Sequence, residues 1–279
     1  MDYTKVEQHG NNTMVSGIKN FNLAQTLDCG QCFRWEGQGG EYAGIAHGRK
    51  LKIILSGEGI LTLKDTSLDE FHYIWKDYFD LSRDYTQIRR LYATDSSLTA
   101  AVDFSPGLRV MRQDSWETLI TFILSQNSNI PRIKKMVAGL CEHFGKALPC
   151  GGHAFPTPET LALLTPEALL AVKTGYRAPY IIDAARKVAN GEIDLAVLTS
   201  QSSDEILKAL IQIHGVGPKV AECVLLYGFG KVDRYPVDVW IKRVMAAIYP
   251  EGFPEEFTPT AGIAQQYLFH YARMHQSQF

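Results

Sequence analysis

The chain has no long apolar run, no surplus of either charge and few cysteines, and each shortage removes a class of function. A membrane-crossing helix needs roughly 20 consecutive apolar residues. No stretch comes near that although 46% of the 279 residues are hydrophobic, so the apolar residues are spread as a globular core spreads them. Lys and Arg number 28 against 30 Asp and Glu, which excludes a chain-wide basic footprint; any contact with nucleic acid must be local. The five cysteines, Cys29, Cys32, Cys141, Cys150 and Cys223, are odd in number and scattered, which argues against a disulfide framework. Cys29 and Cys32 form a single C-x-x-C. Without a second pair it is weak evidence for zinc, and a redox reading lacks its thioredoxin-like context, so structural cysteines are the preferred reading. The opening "MDYTKVEQHGNNT" lacks the basic-then-apolar order of a secretion leader. A cytoplasmic protein without membrane contact is expected, nucleoid-associated if the source is bacterial. Internal repeats, low-complexity tracts and long charge runs are also missing.

What is present divides by period. From Thr13 to Lys64 the pattern is strand-like and punctuated by glycine, and "EYAGIAHGRKLKIILSGEGILTLK" predicts short antiparallel strands joined by tight turns. From Ser67 onward the signals are helical. Ser67 with Glu70 makes a capping box before "FHYIWKDYF", and Asp114 with Glu117 another before "LITFIL". Pro131, Pro158 and Pro166 sit where first-turn prolines belong, and Gly145 and Gly191 look like helix stops. The expectation is an α+β protein: a small antiparallel β-rich N-terminal domain over 1–95 and a mostly helical body over 96–279.

Within that body, "SSDEILKALIQ" is an amphipathic helix, His214-Gly215-Val216-Gly217 a tight turn, and "PKVAECVLLYG" a second helix. Two helices joined by G-x-G form a helix-hairpin-helix. Its glycines let backbone N–H groups approach an anion, and the second helix points its positive end at the same place, so a DNA phosphate fits. A plain αα-hairpin whose glycines merely permit the turn fits the same pattern. Lys219 lies one residue past Gly217-Pro218 and shares a helix face with Cys223. The dipole at a helix N-terminus disfavours a proton on an amine there and favours a nucleophile. Asp238, in "YPVDVW", is suited to cap a further helix and to pair with developing positive charge. Taken singly, each also reads as a solvated lysine and an ordinary N-cap.

The segment "GVGPKVAEC…YPVDVW" resembles the helix-hairpin-helix and Gly/Pro…Asp loop of DNA glycosylases, here over 203–245, and specifically the 8-oxoguanine DNA glycosylase family. The similarity extends through "CGQCFRW", "MRQDSWETLITFILSQNSNIPRI", "TGYRAPY" and "AGIAQQYLFHYAR", five blocks in family order. The resemblance implies a TBP-like N-terminal domain packed on the helical body and a bifunctional glycosylase and lyase. In that reading Lys219 is the nucleophile that attacks C1′ and forms a Schiff base, and Asp238 stabilises the oxocarbenium-like transition state. It implies further that Phe269 and Cys223 sandwich the flipped purine, that Gln265 reads its Watson–Crick edge, and that the Gly30 carbonyl accepts a hydrogen bond from N7–H. Normal guanine presents an acceptor at N7 and is refused. On the DNA side it implies Asn127 filling the vacated position, Tyr176 as a wedge, Arg132 with Arg177 on the estranged cytosine, and His214, Gly215, Gly217 and Trp240 along the backbone.

Trp240 departs from the histidine that the best-known eukaryotic members carry there. An indole has one N–H and cannot become cationic, which weakens phosphate contact. The segment "PEGFPEEFTPTAG" is short and proline-rich for the family, which bears on where Gln265 and Phe269 are held. The tail has no cysteine cluster for iron–sulfur, so no cofactor is expected beyond an optional structural monovalent or divalent cation at the hairpin. The expected partner is duplex DNA containing 8-oxoguanine, bound by a monomer. The alternatives are a related glycosylase for another damaged base, and a non-catalytic helix-hairpin-helix DNA-binding protein, which would not require Lys219 with Asp238.

Overall fold

Alternating apolar and polar residues make a strand that buries one face, and the N-terminal segment does so. The computed structural model describes residues 1–279. Strands β1 (Lys5–His9), β2 (Asn12–Ser16), β3 (Trp35–Gln38), β4 (Glu41–Ala46), β5 (Arg49–Leu55) and β6 (Ile60–Leu63) form one sheet in the order β1-β2-β6-β5-β4-β3. β2 pairs antiparallel with β6, setting Val15 opposite Leu61 and Thr13 opposite Leu63, and β5 sets Ile53 opposite Leu63 on the same buried face. Lys50 and Lys52 alternate with buried Leu51 and Ile53 and point to solvent. The sequence signal begins at Thr13 and omits β1. That strand is a mostly exposed edge whose place is fixed by pairing Val6 with Val15 rather than by its own pattern.

Helices then take over where capping residues stand. Ser67 accepts from the Glu70 N–H at 3.1 Å while the Glu70 carboxylate accepts from the Ser67 N–H at 3.2 Å. The helical segment that follows, Leu68–Glu70, Phe71–Trp75 and Lys76–Tyr78, widens to a π turn in its middle. There Trp75 and Tyr78 pack among Trp35 and Phe79, and the Trp35 indole donates to the Tyr78 hydroxyl at 2.7 Å. Asp114 accepts from the Glu117 N–H, and Thr157 caps the helix opened by Pro158. Pro166 behaves differently from its neighbours. It precedes a 3-10 helix, Ala168–Val172, whose Leu169 N–H bonds to the Pro166 carbonyl; left-handed Lys173 ends the segment before an α-helix can form.

Internal contacts divide the chain into two compact units: Met1–Gly44 with Leu51–Arg112 and Val232–Phe279, and Ile45–Lys50 with Gln113–Lys231. The first contains most of the sheet and the helices Val239–Ile248 and Ala261–Met274. Its centre is Arg109, fully buried and with every donor group bonded. Nη1 binds the Asp2 carboxylate at 2.7 Å and the Asn20 carbonyl, Nη2 the Asp80 and Arg83 carbonyls, and Nε the Phe79 carbonyl. The guanidinium also lies 4.0 Å over the Tyr85 ring. The second unit is helical: Ser115–Ser125, Ile130–Phe144, Ala178–Ala189, Ser203–Leu210 and Pro218–Gly228. Phe122 stacks on Tyr227 at 5.3 Å between the first and last of these. No helix is long and apolar enough to cross a membrane.

Candidate active site

The hairpin forms where its sequence places it. Ser202 and Glu205 make a reciprocal capping box at the start of Ser203–Leu210, and the second helix runs Pro218–Gly228 with Gly217 as its N-cap. Gly215 has φ +79°, and a Cβ there would stand 2.3 Å from the Tyr180 ring, so the turn admits only glycine at this position. The turn is braced from outside: the His214 N–H donates to Asp183 at 2.7 Å, the His214 ring meets Tyr180 edge to face at 4.7 Å, and Gln126 Nε2 donates to the Gly215 carbonyl at 3.1 Å. Gly217 is exposed, with open space where its Cβ would stand. Its lack of a side chain serves nothing inside the protein and leaves the helix N-terminus open to an incoming anion.

Lys219 is half-buried in the first turn of that helix, with Nζ 5.5 Å over the Phe122 ring. Cys223, one turn further, is buried. The aromatic surface under the amine is itself fixed by the Phe122–Tyr227 stack.

A second group gathers at the end of Ser115–Ser125. Asn127 is exposed and left-handed, with φ +47°, so it projects from a sharp turn. Arg177 lies beneath, 1% exposed. Its Nε and Nη2 both donate to the Gln126 carbonyl, Nη2 also reaches the Asn127 carbonyl at 3.1 Å, and Nη1 the Thr174 carbonyl at 3.1 Å. Burial, aided by the Arg132 charge, lowers the Arg177 pKa. In this conformation its donors are spent on the turn that presents Asn127. Tyr176 is half exposed, donates to the same Gln126 carbonyl at 3.2 Å and lies under the Arg177 guanidinium. Arg132 is exposed at the start of Ile130–Phe144, where Asn129 caps its N–H.

The remaining predicted residues lie in the first unit. Gln265 and Phe269 stand one turn apart on Ala261–Met274. Gln265 is 4% exposed, and its Oε1 is buried without any hydrogen-bond partner. Leaving such an acceptor unsatisfied typically costs about 1–3 kcal/mol, a penalty a ligand donor would remove. The adjacent Cys29–Gly30 loop turns at Gly30, φ +96°. The Cys29 carbonyl accepts from Gln266 Nε2 and from Arg273 Nη1, each at 3.4 Å. Burial pushes the Cys29 thiol up to about 11. Its Sγ bonds the Thr26 carbonyl and that of Cys32 the Leu27 carbonyl, so the two thiols serve separate backbone turns. Asp238 caps Val239–Ile248, accepting from the Ile241 N–H at 2.8 Å, and is half-buried. Trp240 carries the Arg243 guanidinium 5.0 Å above its ring, which returns a cation to the position where the indole has none.

Sequence reasoning did not single out Gln126, Gln266 or Arg273. Arg273 had a usable signal, since it repeats the four-residue spacing of Gln265 and Phe269. Gln126 and Gln266 have none, because their partners are backbone carbonyls distant in sequence. At the hairpin, the Gln212 carbonyl is taken by the Lys187 ammonium at 2.5 Å, the Gly215 carbonyl by Gln126 and the Ile213 carbonyl by the Val216 N–H. These three carbonyls each accept a protein donor, one of them cationic.

Comparison with known proteins covers most of the chain. Residues 14–119 match the family model described as 8-oxoguanine DNA glycosylase, N-terminal domain, and residues 120–254 that of the HhH-GPD superfamily base excision DNA repair protein. The chain is 32% identical over 241 residues to a probable N-glycosylase/DNA lyase of Methanothermobacter thermautotrophicus, covering 75% of each. It is 32% identical over 261 residues to the N-glycosylase/DNA lyase of Saccharomyces cerevisiae, covering 81% of this chain and 68% of that one. Among solved structures it resembles MBOgg1 in complex with a low-affinity DNA ligand, with TM-score 0.94 and 43% identity over 99% of this chain and 100% of the other. It likewise resembles the Clostridium acetobutylicum 8-oxoguanine glycosylase/lyase bound to duplex DNA with cytosine opposite the lesion, with TM-score 0.93 and 37% identity over the same shares.

Proposed function

Because the chain belongs to the 8-oxoguanine DNA glycosylase family of the helix-hairpin-helix superfamily, we propose that it removes 8-oxoguanine from duplex DNA and cleaves the abasic strand through a Schiff base on Lys219. The observation that carries the base-recognition part is the buried, unpartnered Oε1 of Gln265, one helical turn from Phe269 and beside a Gly30 loop tied to the same helix. An acceptor held in that state is suited to the Watson–Crick donors of a purine. The Gly30 carbonyl separates lesion from guanine at N7, where only the oxidised base carries a hydrogen.

In this reading the flipped nucleotide presents C1′ to Lys219. The amine bonds to C1′ as the N9–C1′ bond breaks, the bonding pair leaves with the base, and the proton lost by the amine ends on that base. Nitrogen then opens the sugar by expelling O4′, which takes a proton, and the iminium results. Asp238 stabilises the positive charge that develops at C1′ and O4′. Loss of a C2′ proton expels the 3′ phosphate, and water hydrolyses the imine to restore Lys219. The exposed N-terminus of Pro218–Gly228 at Gly217, with His214 and Trp240 beside Arg243, grips phosphate. Asn127 and Tyr176 fill the gap left in the stack, Arg132 meets the estranged cytosine, and Arg177, which the resemblance places beside it, braces the turn that presents Asn127. The chain acts as a monomer, with a β-rich part over 1–95 and a helical part over 96–279.

The test is release of free base from three duplexes, carrying 8-oxoguanine opposite cytosine, guanine opposite cytosine, or 3-methyladenine opposite thymine. Base release is followed by mass spectrometry and strand scission on a denaturing gel. Free 8-oxoguanine with scission, and nothing from guanine, is the expected result. Release of the alkylated base alone would replace this reading with that of an alkylation-repair glycosylase.

A further inference from the structure

One charged side chain on the helix that carries Gln265 and Phe269, hereafter the recognition helix, has no part in the reading above. Arg273 continues the stripe of Gln265 and Phe269 down Ala261–Met274, and makes three separate approaches. Its Nη1 donates to the Cys29 carbonyl at 3.4 Å, on the peptide that leads into Gly30. Its guanidinium stands over the Phe269 ring, 5.4 Å from the centroid. Its charge is also felt by Cys29, Asp238 and His270: burial lowers the Arg273 pKa, with Cys29 and Asp238 opposing, and burial together with Arg273 lowers that of His270. Half-buried guanidinium groups placed between an aromatic face and a carbonyl are orienting elements, because the planar fork holds both neighbours at fixed angles.

The Cys29 carbonyl and the Gly30 carbonyl belong to successive peptides, so the direction of one constrains the other. Gly30, with φ +96°, is conformationally free in a way that other residues are not. Its carbonyl therefore needs an external anchor to stay aimed at one atom of the base. Gln266 supplies one neutral donor to Cys29 and Arg273 the charged one, both from the helix that carries Gln265 and Phe269.

We infer that Arg273 is a positioning residue for lesion recognition: it locks the Gly30 loop and the Phe269 ring to the recognition helix, so that the Gly30 carbonyl and the ring meet the same base. It touches neither the sugar nor the phosphates. This rests on the glycosylase reading, and its effect is confined to substrates that still carry a base.

The experiment compares wild type, Arg273→Met and Arg273→Lys on two duplexes, one with 8-oxoguanine opposite cytosine and one with a preformed abasic site opposite cytosine, under single-turnover conditions. Methionine keeps apolar contact with Phe269 and removes the donor. Excision by Arg273→Met should fall about tenfold or more, the size of one hydrogen bond to a charged group, while scission at the abasic site stays within about twofold of wild type. Arg273→Lys, which keeps the charge and one donor direction, should recover part of the loss. Equal falls on both substrates, or no fall on either, would overturn the inference, and so would a full loss in the lysine variant with its melting temperature unchanged. Failure of the wild type itself to release 8-oxoguanine would sink the glycosylase reading instead, and the wild-type lane separates that outcome from the others.

Discussion

Gln265→Met should move stability and activity in opposite directions. Methionine has nearly the same volume and flexibility, so the buried space on Ala261–Met274 is refilled. The side chain lost carries an Oε1 that is buried and bonds to nothing. Removing such an acceptor relieves a desolvation penalty of about 1–3 kcal/mol. For a protein of this size each kcal/mol shifts Tm by roughly 2–4 °C, so the DNA-free variant should melt about 2–12 °C higher than wild type. On 8-oxoguanine DNA the same change deletes the hydrogen bonds to the base edge. Two neutral bonds at about 1 kcal/mol each predict a fall in single-turnover excision of roughly 10- to 100-fold. The assays are a thermal melt without DNA and excision of 8-oxoguanine opposite cytosine. A lower Tm combined with undiminished excision would refute the reasoning, because it would mean that Gln265 is held for the fold and not for the base.

Three further outcomes follow from the same physics. Arg109→Met strands the buried Asp2 carboxylate and four carbonyls; it should destabilise by about 3–5 kcal/mol, read as a lower midpoint in urea. Gly215→Ala forces φ +79° on a residue whose Cβ would overlap the Tyr180 ring. It should lower both Tm and DNA affinity, whereas Gly217→Ala, with open space around it, should lower affinity alone; a melt beside a DNA titration separates the two. Cys29, with a thiol raised to about 11 by burial, stays protonated at pH 8, so iodoacetamide on the native protein should modify exposed Cys150 first, as peptide mass spectrometry would read. The raised pKa also means the folded state holds a proton that the unfolded state loses from about pH 9 upward, so this thiol contributes stability that declines as pH climbs from about 9 to about 11.

The parts legible in the sequence are those governed by local rules. The second hairpin helix occupies Pro218–Gly228 as its proline and glycine imply, and the Ser67 capping box forms with both bonds. β2, β5 and β6 show their alternation directly. What could not be read depends on partners far along the chain. β1 has an exposed, polar pattern and becomes a strand only by pairing with β2. Arg109 looks like any loop arginine until Asp2 arrives from 107 residues away. Arg177 stands in a motif whose resemblance implies contact with DNA, yet the fold buries it under Asn127 on three backbone carbonyls. A role as brace for the residue that enters the stack is invisible without the turn at Gln126. Arg273 is the intermediate case. Its spacing from Phe269 was available, but its meaning lies in the Cys29 carbonyl, 244 positions earlier.

The central claim is that Lys219 forms a covalent bond to the sugar, and borohydride reduction tests it most directly. Wild type and Lys219→Gln are incubated with a duplex bearing one 8-oxoguanine opposite cytosine and reduced in place. The account predicts a denaturation-resistant protein–DNA adduct in wild type, mapped to Lys219 by peptide mass spectrometry, and no adduct in the variant. No adduct from folded wild type that does release the base, or an adduct that persists in Lys219→Gln, would contradict it.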